Sequence, residues 1–214
     1  PLARYKAIIY DCDGVLFDSR ESNRAFYNHI LERFGLPPMG SEELEFVHAS
    51  TAEQAIDFLF KDHPRKEEAQ KYRLSMDYTP FVPLMKMEPH VREVLQALKS
   101  RCRTAVATNR GITMPLVIRE HGLEGLFDLV VTSLDVKHPK PDPECIQRIL
   151  DHFALCPPEA LYVGDSEVDR LVAQRAGVDF ASYRNPSLEA RYLLDDHLEI
   201  LEILDGAQVK GKGR

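Results

Sequence analysis

Cysteine is scarce and scattered in this 214-residue chain: Cys12, Cys102, Cys145 and Cys156 form no CxxC pair. Cys102 and Cys145 fall inside apolar patterns, where a thiol behaves as a small core residue. A reducing compartment is therefore expected rather than a disulfide framework. The eight histidines include no HxH or HExxH, so no zinc motif is present. No apolar run approaches the length of a membrane span, and the amino terminus leads almost directly into a strand rather than a signal peptide. A cytoplasmic protein is the expectation. There is no excess of positive charge either: 27 Lys and Arg against 34 Asp and Glu leave a formal charge of -7. Nucleic acid and anionic membrane, which call for a concentrated basic patch, are excluded as expected partners. A small anion is not excluded, because a local cluster of cations outweighs a weak global field. No internal repeat occurs, and the sequence assigns no oligomeric state.

What is present is an ordinary globular composition, 44% apolar and 29% charged. At this length roughly 70% of the unfolded chain's surface is buried on folding, enough for stability without staples. Residues 7–10, Ala-Ile-Ile-Tyr, form an apolar run that stops abruptly at Asp11, Asp13 and Gly14. Runs over residues 104–107, 126–132 and 160–164 stop in the same way, before Thr108, Ser133 and Asp165. None alternates cleanly with polar residues, the pattern of parallel strands covered on both faces. Residues 178–182 are a fifth candidate.

Helical patterns separate these runs. Pro89 opens one carrying Val91, Val94, Leu95 and Leu98 on a single face, and residues 114–121 stop at Gly122. Asp142-Pro143 precedes Ile146, Ile149 and Leu150, and Val168, Leu171, Val172 and Ala176 recur at helical spacing before Gly177. The alternation predicts an α/β fold: a three-layer Rossmann-like core with a parallel sheet. Residues 19–86 break the rhythm. Asp18 with Glu21 and Thr51 with Gln54 read as capping boxes, and residues 67–77 read as a third, charged helix. The expected organisation is a core of residues 1–18 and 87–214 with an inserted α-helical cap, residues 19–86. Lys210 to Arg214, basic and glycine-rich, read as a frayed tail.

In an open parallel sheet reactive groups gather beyond the carboxyl ends of the strands, so Asp11, Asp13, Thr108 and Asp165 are expected to share one site. Carboxylates that close together need a cation or a shared proton. Gly14 supplies the freedom to turn there.

The octet Asp11-Cys12-Asp13-Gly14-Val15-Leu16-Phe17-Asp18 resembles the first motif of the haloacid dehalogenase superfamily, in its branch of phosphatases and phosphomutases with a helical cap. Val106-Ala107-Thr108-Asn109 resembles the second motif, Lys140-Pro141-Asp142-Pro143 the third, and the run from Gly164 through Asp165 to Asp169 the fourth. All four occur in order, each at a strand end or helix start.

The resemblance implies a magnesium-dependent phosphoryl transfer on a small phosphorylated metabolite. Asp11 would be the nucleophile, forming an aspartyl phosphate. Asp13 would be the general acid and then the base, its carbonyl also facing the metal. Asp11, Asp13 and Asp165 would hold Mg2+ through oxygen. Asp169 would support the ion from behind, and Thr108, the Asn109 backbone and Lys140 would hold the phosphoryl oxygens. Among cations and amides near the site, Arg20, Asn23, Arg24 and Arg110 are the candidate substrate contacts; Lys61, Lys66 and Arg73 read as solvated cap residues. His48, His63 and His121 read as surface or loop residues, while His138 is near enough in sequence to Lys140 to touch a substrate.

The implied activity is hydrolysis of a small phosphomonoester, of the phosphoglycolate or sugar phosphate type. Phosphomutase activity like that on β-glucose phosphate is one alternative, and a non-catalytic scaffold another. Related mutases carry a histidine where this chain has Asn23, which favours hydrolysis, since asparagine does not titrate near neutral pH. One departure is evident: the cap glycine that precedes a basic residue in many relatives is absent from residues 45–51.

Overall fold

The computed structural model describes residues 4–206; the expected tail, Lys210 to Arg214, lies outside the described residues. Strand β1 (Ala7–Tyr10) and the two-residue β2 (Phe17–Asp18) come first. Helices α1 (Arg20–Arg33), α2 (Ser41–Ala49), α3 (Ala52–Leu59) and α4 (Lys66–Ser75) and a 3-10 turn (Thr79–Leu84) follow. The chain then returns through β3 (Lys86–Met87), α5 (Val91–Leu98), β4 (Arg103–Ala107), α6 (Met114–Glu120), β5 (Leu129–Val131) and α7 (Glu144–Phe153). It ends with β6 (Ala160–Gly164), α8 (Glu167–Ala176), β7 (Asp179–Tyr183), β8 (Tyr192–Leu194) and α9 (Glu199–Leu204).

Six strands form one parallel sheet in the order β5-β4-β1-β6-β7-β8. The absence of alternation in β1 has a direct cause. Ile8 and Tyr10 face one apolar layer with Val91, Val94, Leu95 and Leu98 of α5. Ala7 and Ile9 face the other, with Ile146, Ile149 and Leu150 of α7 and Val172 and Ala173 of α8. Both faces are dry, so both must be apolar. The result is the predicted α/β three-layer core, with a helical insertion between β2 and β3.

Strand β1 lies between β4 and β6, where the order of winding reverses, and such a reversal leaves a crevice at the strand ends. Tyr10 stands in register with both Val106 and Val163. The residues that follow the two strands, Asp11 and Thr108, donate their N–H groups to Val163 and Val131 at 2.9 and 3.0 Å, so the ladder holds both at the carboxyl end of the sheet.

Several local expectations are corrected. The Asp18–Glu21 capping box does not form, because Asp18 pairs with Lys86 across β2 and β3; Ser19 is the N-cap of α1 and its hydroxyl goes to Asp13. The Thr51–Gln54 box forms as expected, with bonds of 3.1 and 3.0 Å. The run over residues 126–132 yields only the three residues of β5, since the carbonyl of Leu126 and the carboxylate of Asp128 turn to Thr104 instead. Helix α2 and strand β8 were not predicted.

Candidate active site

Two glycines bring the aspartates together. Gly14 has φ +83°, and a Cβ there would stand 2.1 Å from Oδ2 of Asp165. A Cβ on Gly164 would stand 2.3 Å from Cβ of Asp169. No other residue allows the first turn to lie against Asp165 or the end of β6 to lie against α8. Asp11, Asp165 and Asp169 consequently offer carboxylate oxygens within 4.8 Å of one another.

Lys140 is buried among them. Its Nζ lies 2.9 Å from Asp11 Oδ1 and 2.8 Å from Asp169 Oδ1, and it donates to the Tyr162 hydroxyl at 2.9 Å. Burial opposes its charge, but Asp11 and Asp169 outweigh that, and the ammonium titrates well above its ordinary value. Asn109 fastens the backbone of the same lysine: Oδ1 accepts from Lys140 N–H at 2.9 Å and Nδ2 donates to its carbonyl at 3.1 Å. Asp169 is fully buried, also accepting from Ser166 Oγ at 2.7 Å and Tyr162 O–H at 2.7 Å. Burial would raise its carboxyl; Lys140 and these donors keep it below the usual carboxylate range.

Asp11 and Asp165 stand on the other side of that balance. Burial, then the charge of Asp169, pushes Asp11 up to about 7 despite Lys140. The same two causes raise Asp165 well above its ordinary value. One ammonium does not neutralise the cluster. A divalent ion that takes oxygen ligands fits this donor set, with no thiolate or imidazole among the three residues.

Asp13 points elsewhere. Arg110 Nη2 is 2.5 Å from its Oδ1 and Nε 3.2 Å from its Oδ2, while Ser19 donates to Oδ1 at 2.5 Å. Burial would raise this carboxyl, but the guanidinium holds it down to about 2. Thr108, beside it, is buried and accepts from Arg110 N–H at 3.0 Å. Above these groups lies a cavity walled by the strand-end residues below and by α1, the α2–α3 turn, α4 and Tyr78 above.

The model of the haloacid dehalogenase-like hydrolases matches residues 8–183. The chain belongs to that family. It is 30% identical over 184 residues to the phosphoglycolate phosphatase of Rhodobacter capsulatus, with 83% of each chain covered. It is also 30% identical over 189 residues to the pyrophosphatase PpaX of Bacillus velezensis, covering 83% of this chain and 82% of that one. Among solved structures, a haloacid dehalogenase superfamily hydrolase of subfamily IA, variant 1, from Geobacter sulfurreducens superposes with a TM-score of 0.78 at 43% identity, covering 94% of this chain and 97% of the other. The chain is an enzyme, a phosphatase of the haloacid dehalogenase type. Its general chemistry is magnesium-dependent hydrolysis of phosphomonoesters through an aspartate nucleophile.

The family motifs thus converge, while the expected substrate contacts divide. Asn23 and Arg110 line the cavity above Asp11. Arg20 does not: it pairs with Glu45 and borders a second hollow beside Asp165. Arg24 lies 3.7 Å from Glu21 on the exposed face of α1. Arg73, read as a solvated cap residue, is instead in the cavity wall. So is His48, read as a surface histidine; its Nδ1 is 3.1 Å from Asn23 Nδ2, and its buried Nε2 has no partner among the described residues. His138 is exposed, 3.6 Å from Glu144 and away from the cavity lining. Tyr162 and Ser19 went unnoticed in the sequence. The signal for Tyr162 is a tyrosine inside an otherwise apolar strand, whose buried hydroxyl must find partners.

Proposed function

We propose that this chain hydrolyses a small phosphomonoester of the phosphoglycolate or sugar phosphate type, with Asp11 as nucleophile. The observation that carries the reading is the position of Lys140, buried between Asp11 and Asp169 beside Thr108, where it balances a carboxylate that must stay anionic to attack. A carboxylate oxygen of Asp11 forms a bond to phosphorus as the ester P–O bond breaks, and the leaving oxygen takes a proton that Asp13 first gains from solvent on releasing Arg110, whose guanidinium otherwise keeps it ionised. Water then attacks the aspartyl phosphate, gives a proton to Asp13, and releases inorganic phosphate and free Asp11. Thr108, the Asn109 backbone and Lys140 hold the phosphoryl oxygens throughout, in a site shielded from solvent.

Asp11, Asp165 and the carbonyl of Asp13 are the proposed magnesium ligands, with Asp169 orienting them through Ser166 and Lys140. When bound, the ion screens the phosphate's charge from the carboxylates. Residues 19–86 act as the cap and residues 4–18 and 87–206 as the described part of the core, because β2 and β3 pair where the chain leaves and re-enters the sheet. The four free thiols suit a reducing, cytoplasmic setting. The 30% identity to a named phosphoglycolate phosphatase supports the substrate class.

A phosphomutase is the second reading, and the Asn23–His48 contact favours it, since it puts an imidazole against the residue that stands where related mutases have a histidine. Incubation with magnesium and a panel of phosphomonoesters, glucose 1-phosphate with a trace of its bisphosphate included, separates the two. Free phosphate with no isomerised sugar supports hydrolysis. Rapid formation of glucose 6-phosphate with little phosphate overturns it.

A further inference from the structure

Asp165 is placed by its backbone. Among the described residues its carboxylate meets no hydrogen-bond donor, and its two bonds are both made by the main chain. Its N–H donates to Asp169 Oδ2 at 3.2 Å, within the carboxylate cluster. Its carbonyl accepts from Asn185 Nδ2 at 2.8 Å, and that partner comes from outside the cluster, in the loop after β7. Three contacts fix Asn185 in turn. Ser187 donates to its Oδ1 through the hydroxyl at 2.6 Å and the N–H at 3.3 Å, so the amide oxygen faces Ser187 and the nitrogen faces Asp165. Its own carbonyl accepts from Ser182 Oγ at 2.7 Å, and the fully buried Ser182 stands in register with Gly164, the residue before Asp165. The turn that delivers Asn185 carries backbone strain. Arg184 has φ +51°, which an L side chain seldom adopts, and it is pinned there by three bonds. Its N–H donates to the Leu194 carbonyl at 2.7 Å, Nε to the Asp195 carbonyl at 3.0 Å and Nη1 to Glu88 at 2.8 Å. Strain of this kind persists only where the surroundings over-determine it.

We propose that Asn185 is a positioning residue of the metal centre: by holding the Asp165 carbonyl it aims the Asp165 carboxylate towards the ion shared with Asp11. This rests on the reading of Asp11 and Asp165 as magnesium ligands and deepens it. Asn185 borders the hollow beside Asp165 and does not line the cavity above Asp11, so its effect is on the ligand and not on the substrate. A carboxylate with no donor of its own swings with its peptide. The Gly14 backbone limits that swing on one side, where a Cβ would stand 2.1 Å from Asp165 Oδ2, and the Asn185 amide limits it from the other end of the residue. Magnesium demands near-ideal octahedral geometry, so a ligand left free to turn weakens the site. Groups that orient a ligand from behind are commonly worth about 10–100-fold in metal affinity.

The experiment titrates Mn2+, an ion that takes the same oxygen ligands, into the full chain without substrate and counts the free ion by electron paramagnetic resonance. Asn185→Ala is expected to raise the Kd about tenfold or more. With saturating magnesium its kcat and its KM for a phosphomonoester should stay within about threefold of wild type, the loss appearing in the magnesium concentration that gives half the maximal rate. Thr104→Val is the control for stability alone. It deletes the buried bond from Thr104 Oγ1 to the Leu126 carbonyl at the opposite end of the sheet, so it should lower the melting temperature and leave the Kd unchanged. Should Asn185→Ala fail to fold, Asn185→Asp decides in its place. It keeps an acceptor for Ser187 but has no hydrogen for Asp165, and its added negative charge would by itself tighten cation binding. Weaker binding therefore supports the positioning role, and equal or tighter binding overturns it. An unchanged Kd in a folded Asn185→Ala, or an equal loss in Thr104→Val, also overturns it and leaves the magnesium reading standing. A wild-type chain that binds no Mn2+ refutes that reading, and the role of Asn185 falls with it.

Discussion

Asn109 grips Lys140 by both of its backbone polar groups, accepting from the N–H at 2.9 Å and donating to the carbonyl at 3.1 Å. The same Nδ2 lies 3.1 Å from the carbonyl of Ala49, at the end of α2. One amide thus ties the end of β4 to the loop that bears the buried lysine and to the helical insertion. Asn109→Ala removes all three bonds and leaves buried backbone groups unpaired. We expect a stability loss of about 2–4 kcal/mol and at least a tenfold fall in kcat, read by thermal melting and steady-state kinetics. Wild-type kcat in a folded variant would show that Lys140 holds its position without this grip.

Asp11→Asn should abolish turnover, by several orders of magnitude, at about 1.4 kcal/mol for each tenfold. Its fold should survive, because asparagine fits the same volume and Lys140 retains Asp169 as a partner. More than a few per cent of residual activity, measured under single-turnover conditions, excludes Asp11 as nucleophile.

Tyr162→Phe isolates the support behind the lysine. The tyrosine hydroxyl meets Lys140 Nζ at 2.9 Å and Asp169 at 2.7 Å, and phenylalanine keeps the packing while deleting both bonds. The expected outcome is a loss of about 1–3 kcal/mol in unfolding free energy with a smaller kcat and an unchanged family of substrates. Denaturant unfolding together with a substrate panel checks it; a variant as stable as wild type means the hydroxyl is not a structural partner.

Chelation provides a test of the carboxylate cluster. Exhaustive removal of divalent ions should eliminate turnover, and Asp165→Asn should raise the magnesium concentration needed to restore it. Because burial and neighbouring charge raise Asp11 to about 7, magnesium must displace a proton at lower pH, so its apparent affinity should weaken as pH falls through that value. Titration calorimetry in two buffers of different ionisation enthalpy reads the released proton directly. Full activity in chelator, or an affinity indifferent to pH between 6 and 8, contradicts the assignment.

His197 sets a pH dependence of stability that is independent of the metal. Its Nε2 donates to the carbonyl of Val15 at 2.8 Å, under the turn that bears Asp13 and Gly14. Burial holds the imidazole down to about 4 from an ordinary 6.5, against the pull of that bond and of Asp196. The folded state therefore favours the neutral ring. This stability is complete above 6.5 and is lost as pH falls towards 4, to a total of about 3 kcal/mol. His197→Asn should flatten that limb of the unfolding curve; a slope as steep as wild type would place its origin elsewhere.

The strand ends were legible because each apolar run stops at a residue that cannot be buried without a partner. Asp11, Thr108 and Asp165 are marked by that break, and the strand order then brings them into one crevice. The partners of these residues were harder to read. Asp18 reads as the helix cap, but Ser19 takes that position and its hydroxyl serves Asp13. Arg73 and His48 belong to helices whose polar faces carry no sign of which way they turn once folded. Helix α2 escaped notice because it buries only Leu44 and Val47, too few positions for a periodic pattern. Strand β8, three residues at the sheet's edge, is too short for one.

The pairing of β2 with β3 has a further consequence. Phe17 stands opposite Met87 and Asp18 opposite Lys86, so the whole helical insertion departs and returns at one doorway. A segment attached in this way is topologically a pendant. It can be exchanged for another of different length without re-threading the sheet or disturbing the spacing of Asp11, Thr108 and Asp165. Selection acting on the pendant alone can then change which metabolite is admitted, while the machinery beneath it is inherited intact.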